Sequence, residues 1–132
     1  MNQQGAALGA ESKSLGVHVQ LGPVAGPFGK IPTGRNWEGF SPDPYLTGIV
    51  TQQTIIGMQD SGVQACAKHY IDNEQKKNRD TMSANIDDRT MHKLYLWPFA
   101  DAVQANAASV MYSYNKVGST YTCENDKLVN GL

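Results

Sequence analysis

The sequence predicts an α/β fold with about three parallel strands and intervening helices. Three observations lead to this class: three short runs of strand-forming residues, helix-forming stretches between them, and a regular alternation of the two along the chain. Helical crossovers between successive strands favour parallel pairing in one sheet. With 132 residues, the chain is long enough for one domain.

The first elements follow from local composition. Residues 2–15 are rich in alanine, glutamine, glutamate and lysine, which favours a helix. Residues 17–21 alternate apolar and polar side chains and stop at Gly22 and Pro23, which predicts the first strand. Residues 22–44 contain five of the six prolines and are predicted to form a long, turn-rich loop without helix or strand. A loop of this length in a compact domain is usually functional.

The next helix is predicted to begin at Asp43 and Pro44, with the aspartate as its cap, and to end at Gly62. Its apolar stripe is expected to comprise Leu46, Ile49, Val50 and Ile56. Residues 63–70 form the second strand candidate, which ends on polar and charged residues.

After a polar stretch at 72–85, a helix is predicted to start at Asp87 and Asp88, and Pro98 should kink it or restart it. The apolar positions of this helix follow i, i+3, i+4 spacing from Met91 to Val103. Residues 108–112 are the third strand candidate, and 113–125 are predicted to be a loop. A last helix is expected to begin near Asp126 and to be cut off at the final residue, as in a segment excised from a longer chain.

Composition disfavours several classes of partner. Lysine and arginine number 11 against 12 for aspartate and glutamate, a formal net charge of −1, so we expect neither nucleic acid nor an anionic membrane as a partner. No apolar run approaches the roughly 20 residues of a membrane span, and residues 1–5 do not resemble a signal peptide. Since metal-ligand spacings and phosphate-binding glycine motifs are also missing, no metal and no cofactor are predicted.

Polar residues at the predicted strand ends are the candidates for binding. Arg35 lies in the loop after the first strand, Lys68 and His69 end the second, and Tyr114 follows the third. The carboxyl ends of parallel strands lie on one face, so these side chains should converge there. Some candidates have a structural alternative. Arg35 could be a solvated charge and Tyr114 a loop aromatic, and Met111, a candidate on the third strand, could fill the core. The acidic residues are interpreted structurally, Asp43 as a helix cap and both Glu38 and Glu74 as groups that brace loops.

Four motifs, in order along the chain, resemble glycoside hydrolase family 3, most closely its fungal β-glucosidases. They are Gly-Arg-Asn-Trp-Glu-Gly-Phe-Ser-Pro-Asp-Pro-Tyr-Leu at 34–46, Ala-Lys-His-Tyr at 67–70 with Asn-Glu-Gln at 73–75, Leu-Tyr-Leu-Trp-Pro-Phe at 94–99, and Ser-Val-Met-Tyr-Ser-Tyr-Asn at 109–115. The resemblance implies a (β/α)8 TIM-type barrel followed by an α/β sandwich domain. Residues 1–132 would then be a fragment of the N-terminal barrel, without its remaining strands or the second domain.

The resemblance also implies an activity, the hydrolysis of terminal non-reducing β-D-glucosyl residues with release of glucose by a retaining mechanism. The expected substrate is a β-glucoside or cello-oligosaccharide. Arg35, Lys68 and His69 would bind glucose hydroxyls, and Met111 and Tyr114 would line the same subsite. The nucleophilic aspartate of a Ser-Asp-Trp motif and the acid/base glutamate would lie outside these residues, so the isolated chain is expected to be inactive. Secretion is expected from the family alone.

Two alternatives and one departure remain. The chain could come from a β-xylosidase or another family 3 glycosidase, or it could be a non-catalytic remnant or a sugar-binding protein. Fungal members usually have cysteine at the position of Tyr112, paired with the position of Cys123. That disulfide cannot form here, so the resemblance predicts a free Cys123 and a loop at 113–122 without its covalent tether.

Overall fold

The computed structural model describes residues 1–26 and 34–132, and part of the predicted loop, residues 27–33, lies outside this description. The elements are, in chain order, α1 (Asn2–Ser14), β1 (Val19–Gln20), a 3₁₀ turn (Asn36–Glu38), α2 (Pro44–Asp60), β2 (Gln64–Tyr70), β3 (Ser83–Ala84), α3 (Asp88–Thr90), a π-helical turn (Met91–Tyr95), α4 (Trp97–Gln104), β4 (Ser109–Tyr112), β5 (Lys116–Val117), β6 (Thr120–Tyr121), a second 3₁₀ turn (Thr122–Glu124) and α5 (Asp126–Asn130).

The main sheet of the described residues has three parallel strands in the order β1-β2-β4. Val19 pairs with Gln64, and Cys66 and Lys68 pair with Ser109 and Met111. This sheet confirms the predicted α/β class and its three parallel strands. The strands are shorter than predicted, because the alternation of apolar and polar residues in the sequence continues beyond the last residues that pair between strands.

The two helices before β2, α1 and α2, pack closely against each other through small residues. A Cβ atom on Gly57 would overlap the backbone of Asn2, and one on Gly5 would lie 2.5 Å from the carbonyl oxygen of Thr54, so α1 and α2 are in backbone contact. The predicted apolar stripe of α2 is therefore wrong in part, since Leu46 is 50% exposed. The buried face of α2 instead carries Thr47, Gly48, Thr51, Thr54, Ile55, Gly57 and Met58.

The predicted cap and the predicted restart are both confirmed. Asp43 Oδ1 accepts a hydrogen bond of 2.8 Å from the backbone N–H of Leu46 at the start of α2. The helix that begins at α3 passes through the π-helical turn, and a new helix, α4, starts at Trp97 with Pro98 in its first turn. The π turn changes the helical phase, so Val103, predicted on the apolar face, is 65% exposed.

A second small sheet was not predicted from the sequence. β3, in the polar stretch at 72–85, pairs in parallel with β5, and β5 pairs antiparallel with β6, both in the loop predicted at 113–125. Strands of two residues are too short to show alternation. The predicted loop at 22–44 likewise contains the first 3₁₀ turn and a bridge from Val24 to Lys68. The final helix, α5, begins at Asp126 as predicted and is assigned to Asn130.

The core lies between the main sheet and the helices. Ile55, Ala65, Ala67, Phe99 and Ala102 are among its buried residues. At the β4 edge, a groove of about 900 Å³ is lined largely by aromatic and aliphatic side chains, and Val110 and Tyr112 are each more than one-third exposed there. In the part of the chain described, no helix is both long enough and apolar enough to cross a membrane.

Candidate functional site

Four polar side chains meet at the carboxyl ends of β1 and β2, and we call them the binding cluster: Arg35, Glu38, Lys68 and His69. Glu38 is the centre, because Arg35 Nε and Nη2 both donate to its carboxylate, the latter at 2.8 Å. Lys68 Nζ lies 3.1 Å from Glu38 Oε2, and Arg35 Nη1 lies 3.4 Å from His69 Nε2. The side chains of Glu38 and Lys68 are each only 13% exposed.

Local structure on two segments brings the cluster together. The 3₁₀ turn Asn36–Glu38 places Glu38 three residues after Arg35, on the same side of the turn. Beside β2, residues 22–25 run alongside the strand, where Lys68 N–H donates to the Pro23 carbonyl at 3.0 Å and Ala25 N–H donates to the Lys68 carbonyl at 2.8 Å. The β2–β4 register shifts between Lys68 and Tyr70, and the Lys68–His69 peptide bond is cis.

The cations of the cluster control the protonation of its two other members. The hydrogen bond from Arg35, followed by those from Lys68, lowers the pKa of Glu38 to about 2 despite its burial. Burial, followed by the charges of Arg35 and Lys68, lowers the pKa of His69 to about 4. Above pH 5, the cluster therefore contains a carboxylate, two cations and a neutral imidazole. Because a guanidinium only donates, His69 Nε2 is assigned as the acceptor, which leaves Nδ1–H as a donor.

A small cavity beside the cluster has room for about one water molecule. Arg35, Glu38 and His69 form one wall, and the loop after β2 forms the other, with Arg79 in it. The charge of Arg79 also contributes to the low pKa of His69. The cavity is too small for a sugar ring.

Of the predicted site residues, Arg35, Lys68 and His69 are brought together. Met111 pairs with Lys68 across β2 and β4, and paired residues of parallel strands point to the same face of the sheet. Tyr114 is 62% exposed and lies apart from the cluster, with the Arg79 guanidinium 4.8 Å from its ring centroid. Arg79 thus connects Tyr114 to the cavity wall. Whether these five residues bind sugar stays a prediction.

Sequence reasoning missed Arg79 and understated Glu38. Glu38 braces its loop as predicted, but it also orders two cations at once. Arg79 lies in a uniformly polar stretch, where no periodicity distinguishes it from its neighbours. The available signal was positional: this stretch follows the strand with Lys68 and His69, at the face where barrel enzymes place their sites.

The loop that carries Tyr114 is held by buried hydrogen bonds. The carbonyl oxygen of Ile71, just after β2, accepts from Ser113 Oγ at 2.9 Å and from Asn115 Nδ2 at 3.1 Å. Thr122 Oγ1 donates to the Ser113 carbonyl at 2.6 Å. Cys123 is free, as predicted, and it is exposed, so these polar contacts hold a loop that has no covalent tether there.

The chemistry of the cluster suits a ligand rich in hydroxyl groups. Lys68 can donate further hydrogen bonds, and His69 Nδ1–H and the outer guanidinium atoms of Arg79 add donors at fixed positions. Within residues 1–26 and 34–132, no group of three or more His, Cys, Asp or Glu side chains is arranged to hold a metal ion.

Comparison with known proteins identifies relatives along the whole chain. The model of the glycosyl hydrolase family 3 N-terminal domain matches residues 1–132. A probable β-glucosidase L from Emericella nidulans is 70% identical over 130 residues, 98% of this chain. The crystal structure of β-glucosidase D2-BGL from Chaetomella raphigera is 70% identical over 96% of the chain, with a TM-score of 0.91. β-Glucosidase 3B from Thermotoga neapolitana, solved in complex with glucose, is 34% identical over 99% of the chain, with a TM-score of 0.93.

These relatives are much longer than the chain. It spans 18% of the length of the Emericella protein and 18% of each of the two solved structures. The matches therefore concern one continuous part of the relatives, and the main sheet described above is part of their larger fold.

Proposed function

The chain belongs to glycosyl hydrolase family 3 and is close to its fungal β-glucosidases, and from that premise we propose that it supplies part of the glucose-binding wall of a retaining β-glucosidase. The substrate class is terminal non-reducing β-D-glucosyl residues of β-glucosides and cello-oligosaccharides. The observation that carries this proposal is the Glu38 carboxylate, which orders Arg35 and Lys68 beside the neutral His69.

In this proposal, the cluster binds glucose and does not perform the chemical step. A retaining glycosidase needs two carboxylates about 5–5.5 Å apart, one of them free to attack the anomeric carbon. Glu38 is engaged by Arg35 and Lys68, which suits a positioning role better than a nucleophilic one. We assign the nucleophile and the acid/base to other parts of the enzyme, as the resemblance implies. The three parallel strands would then be part of a (β/α)8 barrel, with a further strand pairing at the β4 edge.

A chimeric enzyme tests the proposal directly. We would replace the matched segment of the Chaetomella raphigera enzyme with residues 1–132, because 70% identity and a TM-score of 0.91 favour a fit without backbone changes. The chimera is expected to hydrolyse an aryl β-glucoside. Lys68→Met should raise its KM strongly, whereas Lys13→Met, on the exposed end of α1, should not. A chimera that folds but neither binds glucose nor turns over would overturn the proposal.

The same chimera separates the alternatives. Relative to the intact Chaetomella raphigera enzyme, a segment from a β-xylosidase would lower the ratio of kcat/KM for an aryl β-glucoside to that for an aryl β-xyloside, whereas we expect this ratio to be unchanged. The isolated 132-residue chain is expected to show no hydrolysis, because both catalytic carboxylates are assigned outside it. Glucose binding by the isolated chain would support a sugar-binding protein instead. Secretion stays a prediction from the family.

His69 gives a pH dependence with a defined sign. Its pKa is lowered to about 4 from 6.5, so between those values the unfolded chain binds a proton that the folded chain does not. The contribution of His69 to the thermal stability of the chimera, measured as the difference between the parent and His69→Gln, should therefore fall as the pH falls from about 6.5 to about 4. His69→Gln should remove this contribution, while the same change at the exposed His18 should leave the profile unchanged. Equal profiles for the parent and His69→Gln would contradict the prediction.

A further inference from the structure

The most unusual group near the cluster is the carboxyl of Asp72, two residues after β2. Its residue is only 3% exposed, and within the described ranges neither carboxyl oxygen has a hydrogen-bond partner. An ionised carboxylate without partners is costly to bury, since it loses its hydration and gains nothing in return. Burial, with the charge of Glu74 as the smaller cause, raises the pKa of Asp72 to about 7.

The backbone at Asp72 is as unusual as its side chain. With φ at 62°, Asp72 has the left-handed conformation, which turns the chain from β2 into the loop that follows. That loop carries Asn73, Gln75 and Arg79, which line the cavity beside the cluster. Asp72 therefore lies at the turn between β2 and the loop that forms the second wall of the cavity.

A second small cavity connects Asp72 to the binding cluster. It is lined by Asp72 and His69, by Asn73 and Glu74 of the same loop, and by residues from three other segments. A neutral carboxyl fits a buried position beside a second carboxyl, Glu74, whereas an anion would be drawn towards solvent.

Among the residues that the structure describes, the titratable groups around Asp72 offer an anion no compensation. Glu74 from the same loop is itself acidic. Burial and then the charges of Glu74 and Asp72 raise the pKa of Tyr95 in the π-helical turn, whose hydroxyl is hydrogen-bonded to Glu74. Tyr70 and His69 face it from β2, and His69 is neutral above about pH 4. From the described part of the segment beside β2 and from α4, the residues that line this cavity are the uncharged Val24, Gly26 and Phe99.

We propose that Asp72 is a positioning residue of the sugar site: its neutral, buried carboxyl holds the turn that places the loop of Asn73, Gln75 and Arg79, and its ionisation releases that turn and weakens sugar binding. The inference rests on the proposed function and extends it to the regulation of the same site by pH. Asp72 touches neither the substrate nor the reacting atoms in this account. It acts through the loop.

The sign of the effect follows from linkage. When the turn is released, Asp72 is in water with an ordinary pKa near 4, and when the turn is held the pKa is about 7. Between those values the held form binds more protons, so rising pH favours release by at most about tenfold per pH unit. Above pH 7 both forms are ionised and the effect levels off.

The test compares the chimera with its Asp72→Asn variant, an uncharged side chain of the same shape, from pH 4 to 8. The ratio of KM for an aryl β-glucoside, parent over variant, should rise between pH 4 and 7 and then become constant, while the ratio of kcat changes little. Asp72→Gly, which suits the left-handed backbone, should likewise be free of this pH dependence. Asp80→Asn, an exposed carboxylate in the same loop, is the matched control and should follow the parent.

Thermal unfolding provides a readout that does not depend on activity. The midpoint of the parent should fall relative to that of Asp72→Asn as the pH rises from 4 to 7. If neither the KM ratio nor the midpoint difference between the parent and Asp72→Asn varies with pH, the proposed role of Asp72 is overturned. Turnover by the same chimera would leave the proposed function standing. An inactive chimera whose midpoint difference still follows pH would overturn the function and keep the ionisation of Asp72 as the cause of the structural change.

Discussion

Replacing Glu38 with glutamine is expected to lower kcat/KM of the chimera for an aryl β-glucoside by roughly a hundredfold, about 2.7 kcal/mol. The carboxylate accepts from two side chains, and hydrogen bonds to charged groups contribute about 1.5–3 kcal/mol each. Glutamine has one acceptor oxygen, and its amide group would place a donor against Arg35 or Lys68. Both cations would then be free to leave the positions in which they face the sugar.

The loss should fall mainly on KM, because the cluster is assigned to binding and not to the chemical step. It should also be constant over the working pH range, since the pKa of Glu38 is about 2 and the carboxylate is ionised throughout. The contribution of this carboxylate to stability is fully present above about pH 4.5 and would be lost only as the pH falls through about 2. The matched control is Glu124→Gln, on the exposed second 3₁₀ turn.

A double-mutant cycle distinguishes a shared function from two separate ones. If Glu38 acts by ordering Lys68, then Lys68→Met should cost much less in the Glu38→Gln background than in the parent. Strictly additive losses would mean that the ion pair of 3.1 Å does not position Lys68 for the sugar. A change of less than about threefold for Glu38→Gln alone would refute the central role of the carboxylate.

Much of the fold could be predicted because its determinants are local. The cap at Asp43 and the new helix at Pro98 depend on residues within one turn, and both are observed. The three strands of the main sheet are each bounded by glycine, proline or polar residues that the sequence displays. The apolar stripe of α2 could not be predicted, because its buried face is chosen by the close approach of α1 at Gly57.

The candidate site could likewise be predicted only in part from the sequence. That Arg35, Lys68 and His69 would share a face follows from the parallel order of the strands, and the structure places them together. Asp72 was hidden, because an aspartate in a polar stretch is normally exposed and its burial depends on packing against residues distant in sequence, such as Phe99. Arg79 was hidden for a related reason, since its place in the cavity wall depends on the turn at Asp72.

Replacing Asn115 with alanine is expected to destabilise the chimera by about 2–3 kcal/mol, through two lost hydrogen bonds and a new cavity. The side chain is completely buried, and its Nδ2 donates to the carbonyls of Ile71 and Lys116 at 3.1 and 3.2 Å. Its loss leaves Ser113 as the remaining side-chain donor to Ile71 among the described residues. The midpoint of thermal unfolding should fall accordingly.

The same variant also tests whether these polar contacts hold Tyr114 in place of a covalent tether. If they do, Asn115→Ala should raise KM several-fold while leaving kcat nearly unchanged, since Tyr114 lies beside Arg79 at the edge of the cavity wall. Asn130→Ala is the matched control, because that asparagine is exposed and bonds only within α5 in the described structure. If the Asn115→Ala chimera has the same midpoint of thermal unfolding as the parent, the loop is held instead by the main-chain contacts of β5 and β6.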